Sequence, residues 1–284
     1  MIGFLNVYKP SGVTSNFVVQ KIKKRFNLKK IGHMGTLDPL ACGILPIAVG
    51  KATRMFDYSL NKIKRYTAVF DFGYTTDSLD ITGQKTENEG YIPSQDEIEN
   101  ATKKLIGKIS QIPPIFSAKN VNGMRAYDLA RSGVKFELKP KEIIIYKLDL
   151  IEKISDYQYK FDILCSSGTY IRAIGRDIAN LLNTYACMSF LERTETGNFK
   201  LDTSILFDDI LTSNDLANNL MTVSDAFPDF DIIDIDKSMY NDVINGKRPK
   251  FEKISKNTFI RCDNNIIGVA KLNSEHLILD TFLF

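Results

Sequence analysis

The amino-acid sequence predicts an α+β fold: a mixed, mostly antiparallel sheet with flanking helices, followed by a small β-rich C-terminal module. Three observations lead there. Strand and helix patterns mix without the regular βαβ rhythm of a parallel sheet. Two long strand patterns, Glu142–Ile151 and Tyr157–Cys165, follow one another, the second with clear period-two alternation. Beyond Phe227-Pro228 the chain turns to short alternating segments, Phe259–Arg261, Ile266–Leu272 and Leu277–Phe284, separated by Asn or Ser turns. With 284 residues, 44% of them hydrophobic, the chain has room for one large core and one small one. They are expected at 1–229 and 230–284.

Each element has its local reason. Gly3–Tyr8 reads as a strand stopped by Lys9-Pro10 and a Ser11-Gly12 turn. Ser15 is placed to cap a helix to Phe26, with Val18, Val19, Ile22 and Phe26 at helical spacing and Lys21, Lys24 and Arg25 opposite. Ile44–Val49 reads as a buried strand and Arg65–Phe72 as a half-exposed one. Ser94 and Glu97 form a capping box for a helix to Ile106. Pro113-Pro114 leads towards a short helix stopped by Gly133. After the two long strands, Ser166-Ser167-Gly168 turns the chain into a helix from Tyr170 to Leu182, with Arg172 on its first turn.

Charge is unevenly spread. Between Met1 and Phe56 nine Lys or Arg face a single acid, Asp38, whereas Leu201–Asp242 holds ten acids and only Lys237. One surface can therefore meet a polyanion while another faces away. The four cysteines are scattered without a CxxC pair, and His33 and His276 are the only imidazoles. That disfavours a zinc site and a disulfide framework, so no metal is expected and the thiols read as reduced and cytoplasmic. Lys9-Pro10 interrupts the N-terminal apolar stretch too early for a signal peptide. No run approaches the ~20 apolar residues of a membrane helix.

Asp38 is the candidate reactive group. It sits in Gly32-His33-Met34-Gly35-Thr36-Leu37-Asp38-Pro39-Leu40-Ala41-Cys42-Gly43, a run too rich in Gly and Pro for a helix interior. A generic Asp-Pro is most often just a turn. Here the glycines permit close approach of other backbone, and the surrounding cations favour a charged carboxylate. Such a group on a tight loop in a phosphate-attracting field points to a nucleophile or general base acting on nucleic acid. Gly50-Lys51-Ala52-Thr53 fails the Walker spacing, because the first Gly falls on Leu45 and the Ser/Thr on Ala52.

Taken together, the ordered blocks resemble the bacterial tRNA pseudouridine-55 synthases, the TruB family. They are Asn6-Val7-Tyr8-Lys9-Pro10-Ser11-Gly12; the Gly32–Pro46 block around Asp38; Gly50–Thr53; Lys64-Arg65-Tyr66; Gly73-x-x-Thr76-Asp77-x-x-Asp80-x-x-Gly83; Gln111-x-Pro113-Pro114-x-Phe116-Ser117-Ala118; Cys165-Ser166-x-Gly168-Thr169-Tyr170-Ile171-Arg172; and Phe190-Leu191-x-Arg193-Thr194. The Asn245-Gly246 pair and closing strands are more loosely similar to that family's PUA-like RNA-binding module.

The resemblance implies a pseudouridine synthase fold and isomerisation of a T-loop uridine in tRNA, without cofactor, by a monomer needing no protein partner. Asp38 would be the catalytic aspartate, Tyr66 the ring stacked on the target uracil, and Arg172 the partner that holds Asp38. His33 and Leu191 would contact the RNA loop and wall the base pocket, with Lys9, Lys64 and Tyr170 also in the substrate-binding set. Residues 114–140 resemble an RNA-binding thumb-like insertion. Phe116 replaces the family's usual Tyr, Met34 stands where a small polar residue is common, and Asn120 follows Lys119 where the family commonly has Lys. Two other functions are compatible with these blocks. One is a tRNA-folding chaperone with dispensable catalysis. The other is a guide-RNA-dependent synthase of the archaeal and eukaryotic type.

Overall fold

The computed structural model describes the chain apart from residues 60–62, 88, 118–119, 122, 127–128, 130–131, 133, 135, 252, 256, 274 and 284. Strand β1 (Gly3–Lys9) leads to a helix, Ser15–Arg25, then β2 (Ile31–His33) and β3 (Cys42–Val49). Strand β4 (Lys64–Phe72) precedes the small hairpin β5 (Thr75–Thr76) and β6 (Lys85–Glu87), and helix Gln95–Lys103 precedes β7 (Gly107–Gln111). Next come the hairpin β8 (Asn120–Val121) and β9 (Met124–Arg125), β10 (Lys141–Lys153), β11 (Gln158–Cys165), helix Ile171–Leu181 and β12 (Ala186–Thr196). The rest holds β13 (Phe199–Lys200), β14 (Ile205–Leu206), β15 (Asp231–Asp234), helix Lys237–Ile244, β16 (Thr258–Cys262), β17 (Asn265–Asn273) and β18 (His276–Phe282). The architecture is α+β with a mostly antiparallel sheet and a strand-rich C-terminal module. Among the described residues no helix is long and apolar enough to cross a membrane.

The chain forms two compact units. The first comprises Met1–Pro39, Ile44–Leu60 and Asn198–Phe284. In it β1 runs parallel to β14, β2 pairs antiparallel with β3, and β15 to β18 form a four-stranded sheet. Phe4 of β1, Ile44 and Ala48 of β3, Phe227, Phe230, Phe259 and Val269 close into one apolar cluster. Phe230 stacks on Phe259 at 4.6 Å and meets Phe227 edge-on at 5.3 Å. The C-terminal strands therefore share a core with the N-terminal ones.

The second unit comprises Leu40–Gly43 and Asn61–Gly197. Its sheet runs β12-β4-β11-β10-β7, antiparallel throughout, and Cys42 and Gly43 add a short parallel edge to β12. Strand β4 lies between β11 and β12, and from Ala68 to Phe72 every residue is buried rather than alternating. The half-exposed strand expected at Arg65–Phe72 is thus corrected, because both faces of its second half are covered. Helix Ile171–Leu181 packs on β4 and β12, brought close by Gly175, where an added methyl would lie 2.6 Å from the Phe70 ring.

Local chemistry shifts other details. The first helix is capped by Thr14, whose hydroxyl accepts from Phe17 N, while Ser15 is its first residue and bonds elsewhere. The Ser94–Glu97 capping box forms as expected, but the helix ends at Lys103. In the 114–140 stretch the described residues include the β8–β9 hairpin. The helix end expected at Gly133, and Lys119, lie outside the described residues.

Candidate active site

In the first unit the loop carrying Asp38 is fixed on both sides of that residue. Ser15 Oγ accepts from Leu37 N at 2.8 Å and donates to Leu37 O at 3.0 Å. On the other side, Pro39 O accepts from Gly12 N at 2.8 Å. Lys9 is fully buried, and its Nζ donates to Pro10 O, Val13 O and Pro39 O at 2.8, 2.7 and 3.4 Å. Lys9 is expected from the sequence among the substrate-binding residues; here its buried ammonium is shared among three carbonyls and holds the loop. Asp38 itself is half-buried in irregular backbone. His33, also half-buried, ends β2 opposite Ile47. The next residue, Met34, is buried in the core and donates its backbone N–H to Pro46 O at 2.8 Å.

In the second unit the sheet register gathers the other candidates. Directly paired residues of an antiparallel ladder point to one face, and residues two apart on a strand share it. Tyr66 lies opposite Ile163 on β11 and Arg193 on β12, Ala68 lies opposite Leu191, and Lys64 lies opposite Cys165. Lys64, Tyr66, Leu191 and Arg193 therefore line one surface, on the same face as Phe70, against which helix Ile171–Leu181 packs. Tyr66 and Leu191 are almost fully buried and Lys64 is half-buried. The opposite face carries Arg65, which clasps Asp162 through Nε and Nη2, both at 2.7 Å.

Arg172 sits on the first turn of that helix, 6% exposed. Its Nη1 donates to Ser78 O at 2.8 Å, its Nη2 to Phe116 O at 3.0 Å, and Nη1 lies 3.5 Å from Asp80 Oδ2. Asp80 is likewise buried and accepts from Ser78 Oγ and Thr82 N. Cations are disfavoured at a helix N-terminus, and this one is compensated by a buried carboxylate and two carbonyls. Asp80 was not singled out from the sequence. The signal available was its place in Asp77-x-x-Asp80-x-x-Gly83, and nothing local tied it to Arg172. Tyr170, at the N-cap, is half-buried, and Gln111 accepts from its N–H at 2.9 Å and donates to its carbonyl at 3.3 Å.

Lys64 and Cys165, paired across β4 and β11, are both displaced in their titration. Burial first, then the Arg193 and Lys141 cations, push the Lys64 ammonium down to about 8, with Cys165 opposing. Burial pushes the Cys165 thiol up to about 11. All four cysteines are buried free thiols.

Cys42 and Gly43, which belong to the second unit, are pinned beside this surface. They pair with Glu192 and Arg193, and Cys42 Sγ approaches Leu191 O at 3.6 Å. Gly43 has φ +97°, and a methyl there would fall 2.3 Å from Arg193 O, so only glycine permits the approach.

The fold is that of pseudouridine synthases. Over 99% of this chain and 85% of theirs, it superposes on chains in two solved structures. These are a Cbf5–Nop10–Gar1 complex (TM-score 0.75, 24% identity) and an H/ACA RNP bound to a substrate RNA containing 2′-deoxyuridine (TM-score 0.74, 23% identity). The model of the TruB family pseudouridylate synthase N-terminal domain matches residues 23–171. The tRNA pseudouridine synthase B of Clostridium novyi is 37% identical over 290 residues, covering 100% of both chains. That of Clostridium tetani is 38% identical over 283 residues, covering 97% of each. The chain belongs to the TruB family of pseudouridylate synthases.

Proposed function

We propose that the protein isomerises uridine to pseudouridine at position 55, in the T-arm of tRNA, as a cofactor-independent cytoplasmic monomer. The reaction breaks the C1′–N1 bond, turns the uracil and rejoins it through C5, with no net exchange of electrons or water. Asp38 supplies the carboxylate, by attack on C1′, by addition to C6 or by removing a sugar proton. Arg172 holds Asp38 charged and aimed. Tyr66 stacks on the extruded base, a contact worth about 1–3 kcal/mol. That offsets the few kcal/mol needed to flip a base out of a folded loop.

Leu191 walls the base pocket, and His33, Lys64 and Tyr170 meet the RNA. The 114–140 insertion and the module after residue 229 extend the RNA-binding surface. Recognition is mainly of loop shape and backbone.

The observation that carries this reading is the clamp on both sides of Asp38, which presents the one carboxylate of the basic N-terminal stretch at a fixed backbone position. The test is to incubate purified protein with unmodified tRNA and map pseudouridine by carbodiimide-dependent primer extension. Wild type converts the T-arm uridine and Asp38→Asn does not. Equal conversion by Asp38→Asn refutes the assignment. The likeness to a chain solved with Nop10 and Gar1 supports a second, guide-dependent reading. Turnover on bare tRNA decides against it.

A further inference from the structure

Lys64 opens β4 on the face it shares with Tyr66 and Arg193. Lys141, at the start of β10, sets its Nζ against Gly168, where an added methyl would fall 1.9 Å away. Gly168 has φ +83° and belongs to the turn that leads into Tyr170 and Arg172. Arg193 is fully buried behind this edge. Lys64 feels both Arg193 and Lys141 as repelling cations. Among the described residues of β4 and β11, the other titratable groups on this face are Tyr66, Cys165 and, further along, Tyr159. Among the described residues no carboxylate pairs with Lys64 or Lys141. Of the acids of the neighbouring strands, Asp162 and Glu195 are opposite Thr67 and Arg65 on the other face and pair with Arg65 there, and Glu192 is opposite Thr67 on that face too.

Two lysines with no carboxylate partner, one of them half-buried, are destabilising unless an anion joins them. A phosphodiester meets the requirement: it is a permanent anion whose oxygens accept from ammonium groups, and RNA supplies one beside every base. We infer that Lys64 and Lys141, backed by Arg193, hold a backbone phosphate of the RNA next to the nucleotide whose base meets Tyr66. The inference rests on the proposed RNA isomerisation and deepens it, assigning to one edge of the site the task of fixing the sugar–phosphate while the base turns. A phosphate placed on Lys64 also restores the proton that burial, and then its cationic neighbours, drive off, so binding takes up a proton in the range where the free ammonium titrates.

The test measures dissociation constants of the full chain for an unmodified T-arm stem-loop by fluorescence anisotropy, across salt concentrations and from pH 7 to 9. Lys64→Ala should weaken binding about tenfold and reduce the slope of log K against log salt by about 0.7–0.9, the worth of one phosphate contact. Lys141→Ala, at an exposed position where folding is not at stake, should reduce the slope similarly. Wild type should lose affinity as pH rises through 8. Lys64→Arg, charged at every pH tested, should hold its affinity level. Wild-type slopes in both alanine variants, or an unchanged pH dependence in Lys64→Arg, overturn the phosphate site and leave the base pocket untouched. A wild-type protein that makes no pseudouridine in tRNA overturns the reading beneath it.

Discussion

Ser15 Oγ bonds both backbone polar groups of Leu37, accepting from its N–H at 2.8 Å and donating to its carbonyl at 3.0 Å. One buried hydroxyl thus sets the orientation of the peptide that enters Asp38. Ser15→Ala leaves a buried donor and acceptor without partners, at a cost of about 1–3 kcal/mol. The expected result is a lowered Tm together with a fall in kcat larger than any change in KM, read from single- and multiple-turnover tritium release. An unchanged kcat would show that the loop holds its place without the hydroxyl.

Gly43→Ala tests the close pairing that follows Asp38. The new methyl meets Arg193 O, and the positive φ is strained for any side chain, so a loss of about 1–3 kcal/mol is expected in urea denaturation. Pseudouridine formation should fall with it. Retained stability would mean that β12 shifts to admit the methyl.

Arg172 and Asp80 are both buried, so removing Asp80 takes a carboxylate away from a buried guanidinium. Asp80→Ala is expected to destabilise the fold by roughly 3–5 kcal/mol. Arg172→Lys keeps the charge but cannot donate to Ser78 O and Phe116 O at once through a planar fork. It should leave the fold largely intact and pseudouridine formation strongly reduced. The check is a thermal melt beside an activity assay for each variant.

Lys64 gives a pH signature with a defined sign. The unfolded chain keeps this proton to about 10.5 and the folded chain releases it near 8. The unfolded state therefore binds more protons between those values, and wild-type stability gains from Lys64 as pH rises through them. Lys64→Met removes the penalty carried at pH 7 and should stabilise the fold there by up to about 3 kcal/mol. The advantage should vanish above pH 10.5. Paired denaturation curves at pH 7 and 10.5 decide it, and an equal gain at both would assign the effect to packing.

The main architecture was legible because its signals are local and periodic. Ile44–Val49, Glu142–Ile151 and the three closing strands carried their own patterns, and Ser94 with Glu97 carried a complete cap. What was missed depended on partners distant in sequence. Thr14 and Ser15 compete for the same cap, and the loop at Leu37 decides between them. One face of β4 is covered by helix Ile171–Leu181, about a hundred residues further on. The Asp236 cap of helix Lys237–Ile244, accepting from Met239 N, and β15 beside β16 were hidden in a stretch that reads as merely acidic. At the site, Asp38, Tyr66, Leu191 and Arg172 were named from their ordered blocks. The burial of Lys9 leaves no trace in local sequence. Asp80 lies 92 positions from the arginine it faces.

Tyr66 acquires its neighbours Ile163 and Arg193 only after most of the polypeptide has been made. A ribosome-bound fragment ending before β12 should carry the tyrosine on an unpaired strand edge with nothing to bind. Competence for chemistry would then arise late in synthesis, once β12 and the C-terminal strands that complete the first unit have both emerged.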